Sequence, residues 1–373
     1  MHDVLIIGGG PAGLAAGLEA VTHGMKPLIL EGSDDIGGLC RTYEKDGFRF
    51  DVGGHRFFTK NREVGDLWDD LLGDDLLQRQ RLSRIYYNNK FFHYPLQIGN
   101  AIRGLGAIAS ARVFLSYVKA RLHQTGTDVT FEDWVSRRFG VYLYRTFFKT
   151  YTEKVWGIPC SELGADWAAQ RIQNLSLGRA IVDAMPIRRS GEVKTLIKQF
   201  RYPRRGPGMM VDALRVRIIR GGGEIRTNHY VTQVCHAAGR VVSVEANTPQ
   251  GSVEIPVKSV INTMPISELI RCLNPSTDPY LKRATESLRY RDFISVNLKI
   301  NGPSPFPDQW IYVHEPKVNV GRVQSYGNWS SSMVPHDNCA GIGVEYFCFQ
   351  HDEIWRMETD DPVSYTHLTL PTN

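Results

Sequence analysis

Three glycines and one acid carry the clearest chemistry in the chain. Gly8, Gly10 and Gly13 stand in the spacing G-x-G-x-x-G, with Pro11 and Ala12 between the last two, and Glu31 follows roughly twenty residues on. Each glycine has a mechanical task. Gly8 permits a tight turn, Gly10 lets backbone approach a pyrophosphate, and Gly13 lets a helix pack closely on a strand. A pyrophosphate there sits over unpaired N–H groups at the positive end of a helix, and Glu31 accepts the ribose hydroxyls.

These residues need a strand, a turn, a helix and a second strand, and the flanking sequence supplies them in order. Val4-Leu5-Ile6-Ile7 is a short apolar run that reads as a buried parallel strand. An apolar helical stretch follows, and Leu28-Ile29-Leu30 leads into Glu31. The spacing marks a dinucleotide site without separating NAD from FAD.

The next stretches are Gly37-Gly38-Leu39-Cys40-Arg41-Thr42 and Asp51-Val52-Gly53-Gly54-His55. Here the chain resembles the FAD-dependent amine oxidase superfamily, which includes protoporphyrinogen oxidase, phytoene desaturase and UDP-galactopyranose mutase. The resemblance implies FAD as cofactor, held in part by Gly38 and Arg41, with Gly53, Gly54 and His55 bringing backbone to the flavin. His55 is either a hydrogen-bonding partner of the flavin or substrate, or a satisfied core histidine. Val231 and Thr263, in strand-like runs farther along, complete the expected cofactor-binding set.

Tyr151-Thr152-Glu153-Lys154-Val155-Trp156-Gly157 resembles a segment of the bacterial UDP-galactopyranose mutases. The hairpin around Ile85-Tyr86 is also similar to that family, and the run Phe200–Gly208 looks like a stretch of its eukaryotic members. The resemblance assigns Arg171 and Arg322 to a clamp on a UDP diphosphate, and guanidinium forks suit that task because they bind phosphate oxygens bidentately. The alternative for each is a solvated or salt-bridged surface arginine. Trp156 and Tyr346 are expected to pack the nucleotide or sugar, the alternative being ordinary core aromatics.

Composition sets the bounds. With 373 residues, two domains are expected. No apolar run approaches the ~20 residues that span a bilayer, and the chain starts almost at its first strand, so cytoplasm is the expected compartment. Six cysteines without a C-x-x-C pair suggest reduced thiols, and eleven histidines without a ligand array suggest no metal. The net charge of +5 favours anionic ligands slightly and points to no nucleic acid. The number of copies in the assembly is left open.

The expected fold is α/β: a doubly wound, Rossmann-like FAD domain in discontinuous pieces (1–60 and 191–268), with a helical insert (61–190) and a substrate-domain sheet (269–361). Within it, helices are expected over 61–77, 101–123 and 209–220. Strand-like runs are expected over 224–234, 240–246, 253–257 and 259–265. The basic run from Arg188 to Arg205 reads as a solvated connector. Residues 362–373 resemble a translated sequencing adapter, which implies that native sequence stops near Asp361.

The implied function is that of a flavoenzyme. In the mutase reading, reduced flavin N5 attacks the anomeric carbon of a nucleotide sugar. The alternative removes hydride from an amine, porphyrinogen, polyene or glycan-lipid substrate, and a third reading is a flavin-binding remnant without activity.

Overall fold

The structure is a computed structural model and describes residues 2–123, 126–171 and 199–357. The chain visits two compact units alternately, one formed by 1–78 and 201–290, the other by 79–200 and 291–373. Of the basic run from Arg188 to Arg205, the part up to Lys198 lies outside the described residues, as does the tail from Glu358 onward. The rest is no solvated connector, because Gln199–Pro203 is a strand with Phe200 and Tyr202 buried, and Arg201 and Arg204 pair with Asp69 and Asp75.

In the first unit, strand β1 (Val4–Ile7), helix α1 (Pro11–Thr22) and strand β2 (Pro27–Leu30) follow the expected order. Strands β3 (Thr42–Lys45) and β4 (Phe48–Asp51) form a hairpin, and helix α2 covers Arg62–Leu72. Asn61 caps α2 by accepting the Val64 N–H, and the helix stops at Gly73, short of the expected 77. Although it follows position 60, α2 belongs to this unit, because Trp68, Leu71 and Leu72 pack on its core.

In the second unit, strands β5 (Ser83–Tyr87) and β6 (Lys90–His93) are joined by Asn88-Asn89, both with positive φ, as a two-residue hairpin turn requires. The single helix expected over 101–123 is two helices, α3 (Ile98–Leu105) and α4 (Ala107–Leu122), because Gly106 leaves the helical region between them. Helix α5 (Phe131–Phe139) begins with a full capping box between Thr130 and Asp133. Helices α6 (Thr150–Trp156) and α7 (Ala165–Arg171) complete this part.

Returning to the first unit, helix α8 (Gly208–Arg220) packs beside α1. The single strand expected over 224–234 splits. Strand β7 (Glu224–Arg226) joins β2, and β8 (Tyr230–Ala237) starts a different sheet. The break falls at Asn228, whose positive φ turns the chain. Strands β9 (Arg240–Thr248) and β10 (Gly251–Pro256) extend that sheet antiparallel, Leu273–Asn274 adds a short parallel strand beside β8, and β11 (Val260–Asn262) returns beside β1.

The parallel sheet thus runs β11-β1-β2-β7. Alternation along the strands sends Val4, Ile6 and Ile29 toward α1 and α8, and Leu5, Ile7, Leu28 and Leu30 toward β8 and β9. Burying each such side chain stabilises the fold by roughly 1.5–3 kcal/mol. Helices therefore cover one face and a second sheet the other.

The second unit is built on six strands, adding β12 (Asp292–Ile300), β13 (Trp310–Val313), β14 (Val320–Ser325) and β15 (Ala340–Cys348) in the order β12-β15-β14-β13-β5-β6. Phe131, Val135, Phe139, Leu143 and Phe147 form the core of its helical part.

Candidate cofactor and substrate sites

The turn after β1 has the geometry its glycines require. Gly8 has φ +102°, and a Cβ there would lie 2.4 Å from Thr263 Oγ1. A Cβ on Gly13 would lie 1.9 Å from the Gly8 carbonyl oxygen. Gly10 is different: a Cβ there meets nothing within 4 Å. That open volume lies at the start of α1, where Pro11 occupies the first turn and the first N–H groups have no intrahelical acceptor.

Glu31 is tied into this turn. Its Oε2 accepts the Gly9 N–H at 2.8 Å, and its Oε1 accepts the Ser33 N–H at 2.9 Å and the Ser33 hydroxyl at 2.7 Å. Burial works to raise its pKa, but the bonds from Ser33 and Gly9 and the nearby Arg41 charge outweigh it together. The carboxyl is held below its ordinary value and stays ionised. Two acceptors of this kind have capacity for a further donor.

The second glycine turn packs on the first. Gly37 N–H donates to the Gly9 carbonyl at 2.8 Å, and Gly38 lies beside Gly10 and Pro11. Arg41 reaches the Ser33 hydroxyl and sits 4.0 Å from Glu31, yet its buried Nε has no partner. Asn228 and His229 donate to the carbonyls of Ser33 and Glu31, which carries β8 and its buried Val231 to this end of the site. Thr263 spends its hydroxyl on the Ile7 carbonyl at 2.7 Å and braces the turn from behind.

Gly53 follows a tight turn closed by its N–H on the Asp51 carbonyl, and Gly54 leads to His55, whose Nε2 bonds the Val52 carbonyl at 2.8 Å. Asp51 is buried beneath this loop. Its carboxylate accepts Thr42 Oγ1 at 3.0 Å and the Tyr202 hydroxyl, while Thr42 Oγ1 accepts the Gly208 N–H at 3.0 Å. Burial pushes Asp51 up to about 7, against the two hydroxyl bonds.

In the second unit the expected residues fall in separate places. Arg322, on β14, donates through Nε to the buried Glu345 at 2.5 Å. Burial lowers its pKa, but Glu345 with Tyr151 and Tyr312 more than offsets this, so the guanidinium stays charged. Tyr346 is the next residue on β15 and points to the opposite face, where it packs with Val320 and Val344 and lines a cavity of about 660 Å³ beside Lys154, Arg291 and Asp352. Trp156 packs in the helical core, edge-on to Trp167 at 5.1 Å between centroids, with its buried Nε1 unpartnered. Arg171 closes α7, and its side chain lies outside the described residues.

Residues that sequence reasoning did not assign gather around Arg322. Tyr151 is edge-on to Tyr312 at 5.4 Å and stacks on His314 at 4.7 Å. Burial raises the Tyr151 pKa well above the ordinary phenol range despite Arg322, so its hydroxyl remains a donor. Tyr94 lies 4.8 Å from Tyr312, and the Arg81 guanidinium covers the Tyr94 ring at 4.6 Å. Arg81 Nη2 is buried and unpartnered. Two guanidiniums thus flank a row of three tyrosines. Lys154, one turn after Tyr151, donates to the carbonyls of Val313 and Glu315 at 3.0 Å and of Val320 at 3.2 Å, fixing the β13–β14 connection.

A parallel sheet, a glycine turn with open space at Gly10 and an ionised acid at the end of β2 together form a dinucleotide-binding type of fold. The chain matches the family described as flavin containing amine oxidoreductase over residues 11–335, and it belongs to that family. Its cofactor is FAD. Protoporphyrinogen oxidase 1 of Arabidopsis thaliana is 22% identical over 308 residues, covering 74% of this chain and 55% of the relative. The chain therefore spans about half the length of the curated relatives it matches. A crystal structure of reduced UDP-galactopyranose mutase superposes with a TM-score of 0.79 at 22% identity, covering 93% of this chain and 75% of the other. A putative protoporphyrinogen oxidase from Exiguobacterium sp. 255-15 gives 0.71 at 15% identity, with coverage of 98% and 81%. No helix among the described residues is long and apolar enough to cross a membrane.

Proposed function

We propose that this flavoprotein acts on an anionic nucleotide sugar by chemistry of the UDP-galactopyranose mutase type. The observation that carries the reading is the row Arg81, Tyr94, Tyr312, Tyr151 and Arg322 in the second unit. Guanidinium N–H groups suit diphosphate oxygens, and Arg81 Nη2 is a buried donor that lacks an acceptor. Arg322 uses Nε on Glu345, which leaves its Nη donors for a second acceptor. The tyrosine rings offer stacking surface and the Tyr151 hydroxyl a proton donor.

On the cofactor side, Gly8, Gly10, Pro11, Ala12 and Gly13 would receive the pyrophosphate of FAD, with Arg41 Nε as a charged donor nearby. Glu31 would accept a ribose hydroxyl, with Val231 at the same end, Thr263 and Gly38 setting the two glycine turns, and Gly53, Gly54 and His55 at the flavin. Bound FAD supplies a reduced ring nitrogen as nucleophile in this reading, and a hydride acceptor in the oxidoreductase reading that the curated relatives suggest. The protein's own contribution is to hold the leaving diphosphate and exclude water.

The test is conversion of UDP-galactofuranose by FAD-loaded protein reduced anaerobically with dithionite, followed by anion-exchange chromatography. UDP-galactopyranose formed only with reduced flavin supports the mutase reading. No conversion by flavin-loaded protein sinks it and leaves hydride removal ahead.

A further inference from the structure

Helix α4 leaves four large apolar side chains exposed. On its inward side Ser110 has a buried hydroxyl, Ser116 Oγ accepts the Tyr142 N–H at 3.1 Å, and Val113 packs on the helical core. The helix lies close against Gly140, where a Cβ would stand 2.7 Å from the Ser116 backbone. Other large apolar residues face outward. Ile108 is 74% exposed, Leu115 65%, Leu122 75% and Phe114 54%, and Ile102 of α3 adds another half-exposed side chain.

These residues form a stripe. At 3.6 residues per turn, Ile108, Ala111, Leu115 and Leu122 fall within about one sixth of the helix circumference. Exposed Arg112 and Lys119 border the stripe on one side and Arg121 on the other. From Tyr94 to Thr127 the sequence holds four cations (Arg103, Arg112, Lys119 and Arg121) and no Asp or Glu. An apolar stripe with a cationic border and no acid is the pattern of a helix lying in a membrane interface, where long basic stems bury apolar carbons and keep their charge at the headgroups.

We propose that the outward face of α4, with Ile102 of α3, seats this protein on the surface of an anionic lipid bilayer. Charge selects this occupant over a second copy of the chain, since self-association through this face sets three cations against three. At sixteen residues, α4 lies on the bilayer and does not span it.

The test is co-sedimentation of the full FAD-loaded chain with phosphatidylcholine vesicles, with and without phosphatidylserine, at low and high salt. The proposal expects binding that requires phosphatidylserine and is released by salt. It also expects Leu115→Glu to abolish binding with an unchanged circular dichroism spectrum. Arg112→Gln and Lys119→Gln should each weaken binding about fivefold, the worth of one cation at an anionic surface. Equal sedimentation without phosphatidylserine, or binding indifferent to Leu115→Glu, overturns it. So does a homodimer in light scattering that Leu115→Glu dissolves.

Discussion

Asp51 sets up a measurable dependence of stability on pH. It lies 3% exposed under the loop that leads to Gly53, Gly54 and His55, and its carboxylate accepts the hydroxyls of Thr42 and Tyr202. Burial pushes the carboxyl from its ordinary 3.8 up to about 7. In the unfolded chain the proton leaves near 3.8; in the folded chain it stays until about 7. Between those values the folded state binds more protons, so raising the pH costs stability at ~1.4 kcal/mol per pH unit, about 4 kcal/mol across the window. The cost is absent below the lower value and complete above the upper one. Asp51→Asn keeps the shape and removes the proton. Hydrogen–deuterium exchange of the peptide covering Phe48–Gly54 would compare the two proteins from pH 4 to pH 8. Relative to wild type, protection in the variant should rise about a thousandfold over that range. A pH-independent difference, or one that grows in favour of wild type as pH rises, would refute the argument.

Other expectations follow from the same contacts. Gly10→Ala should leave the thermal stability of the cofactor-free protein within ~0.5 kcal/mol, since its Cβ meets nothing, yet abolish the visible absorbance of bound flavin. Gly13→Ala should destabilise the cofactor-free protein itself by roughly 2–3 kcal/mol in urea unfolding, because its Cβ collides with the Gly8 carbonyl. Lys154→Met strands three carbonyls of the β13–β14 connection and should cost about 3 kcal/mol in the same assay.

What the sequence revealed was local. The β1 run, the glycine spacing and Glu31 sit within thirty residues, and hydrogen bonding inside that window fixes their arrangement. Thr130 with Asp133 and Asn88 with Asn89 were legible for the same reason, since a cap and a hairpin turn depend on neighbours in the chain. Gly106 lies inside the run read as one helix over 101–123, although it divides two helices. Arg81 lies in no motif, and the bond from Arg322 to Glu345 depends on strand register across a bulge after Val320. That register also separates Tyr346 from Arg322, because adjacent residues of β15 point to opposite faces. Period-two patterning shows that faces alternate; it does not tell which strands lie side by side.

The most direct test of the substrate side is calorimetric titration of UDP into the FAD-loaded chain and into Arg81→Ala and Arg322→Ala. The arrangement predicts binding that each substitution weakens at least about tenfold, the loss of one charge-assisted hydrogen bond to phosphate. UDP binding unchanged in both variants, or no UDP binding by the unaltered protein, would contradict the assignment of this sheet face to an anionic nucleotide.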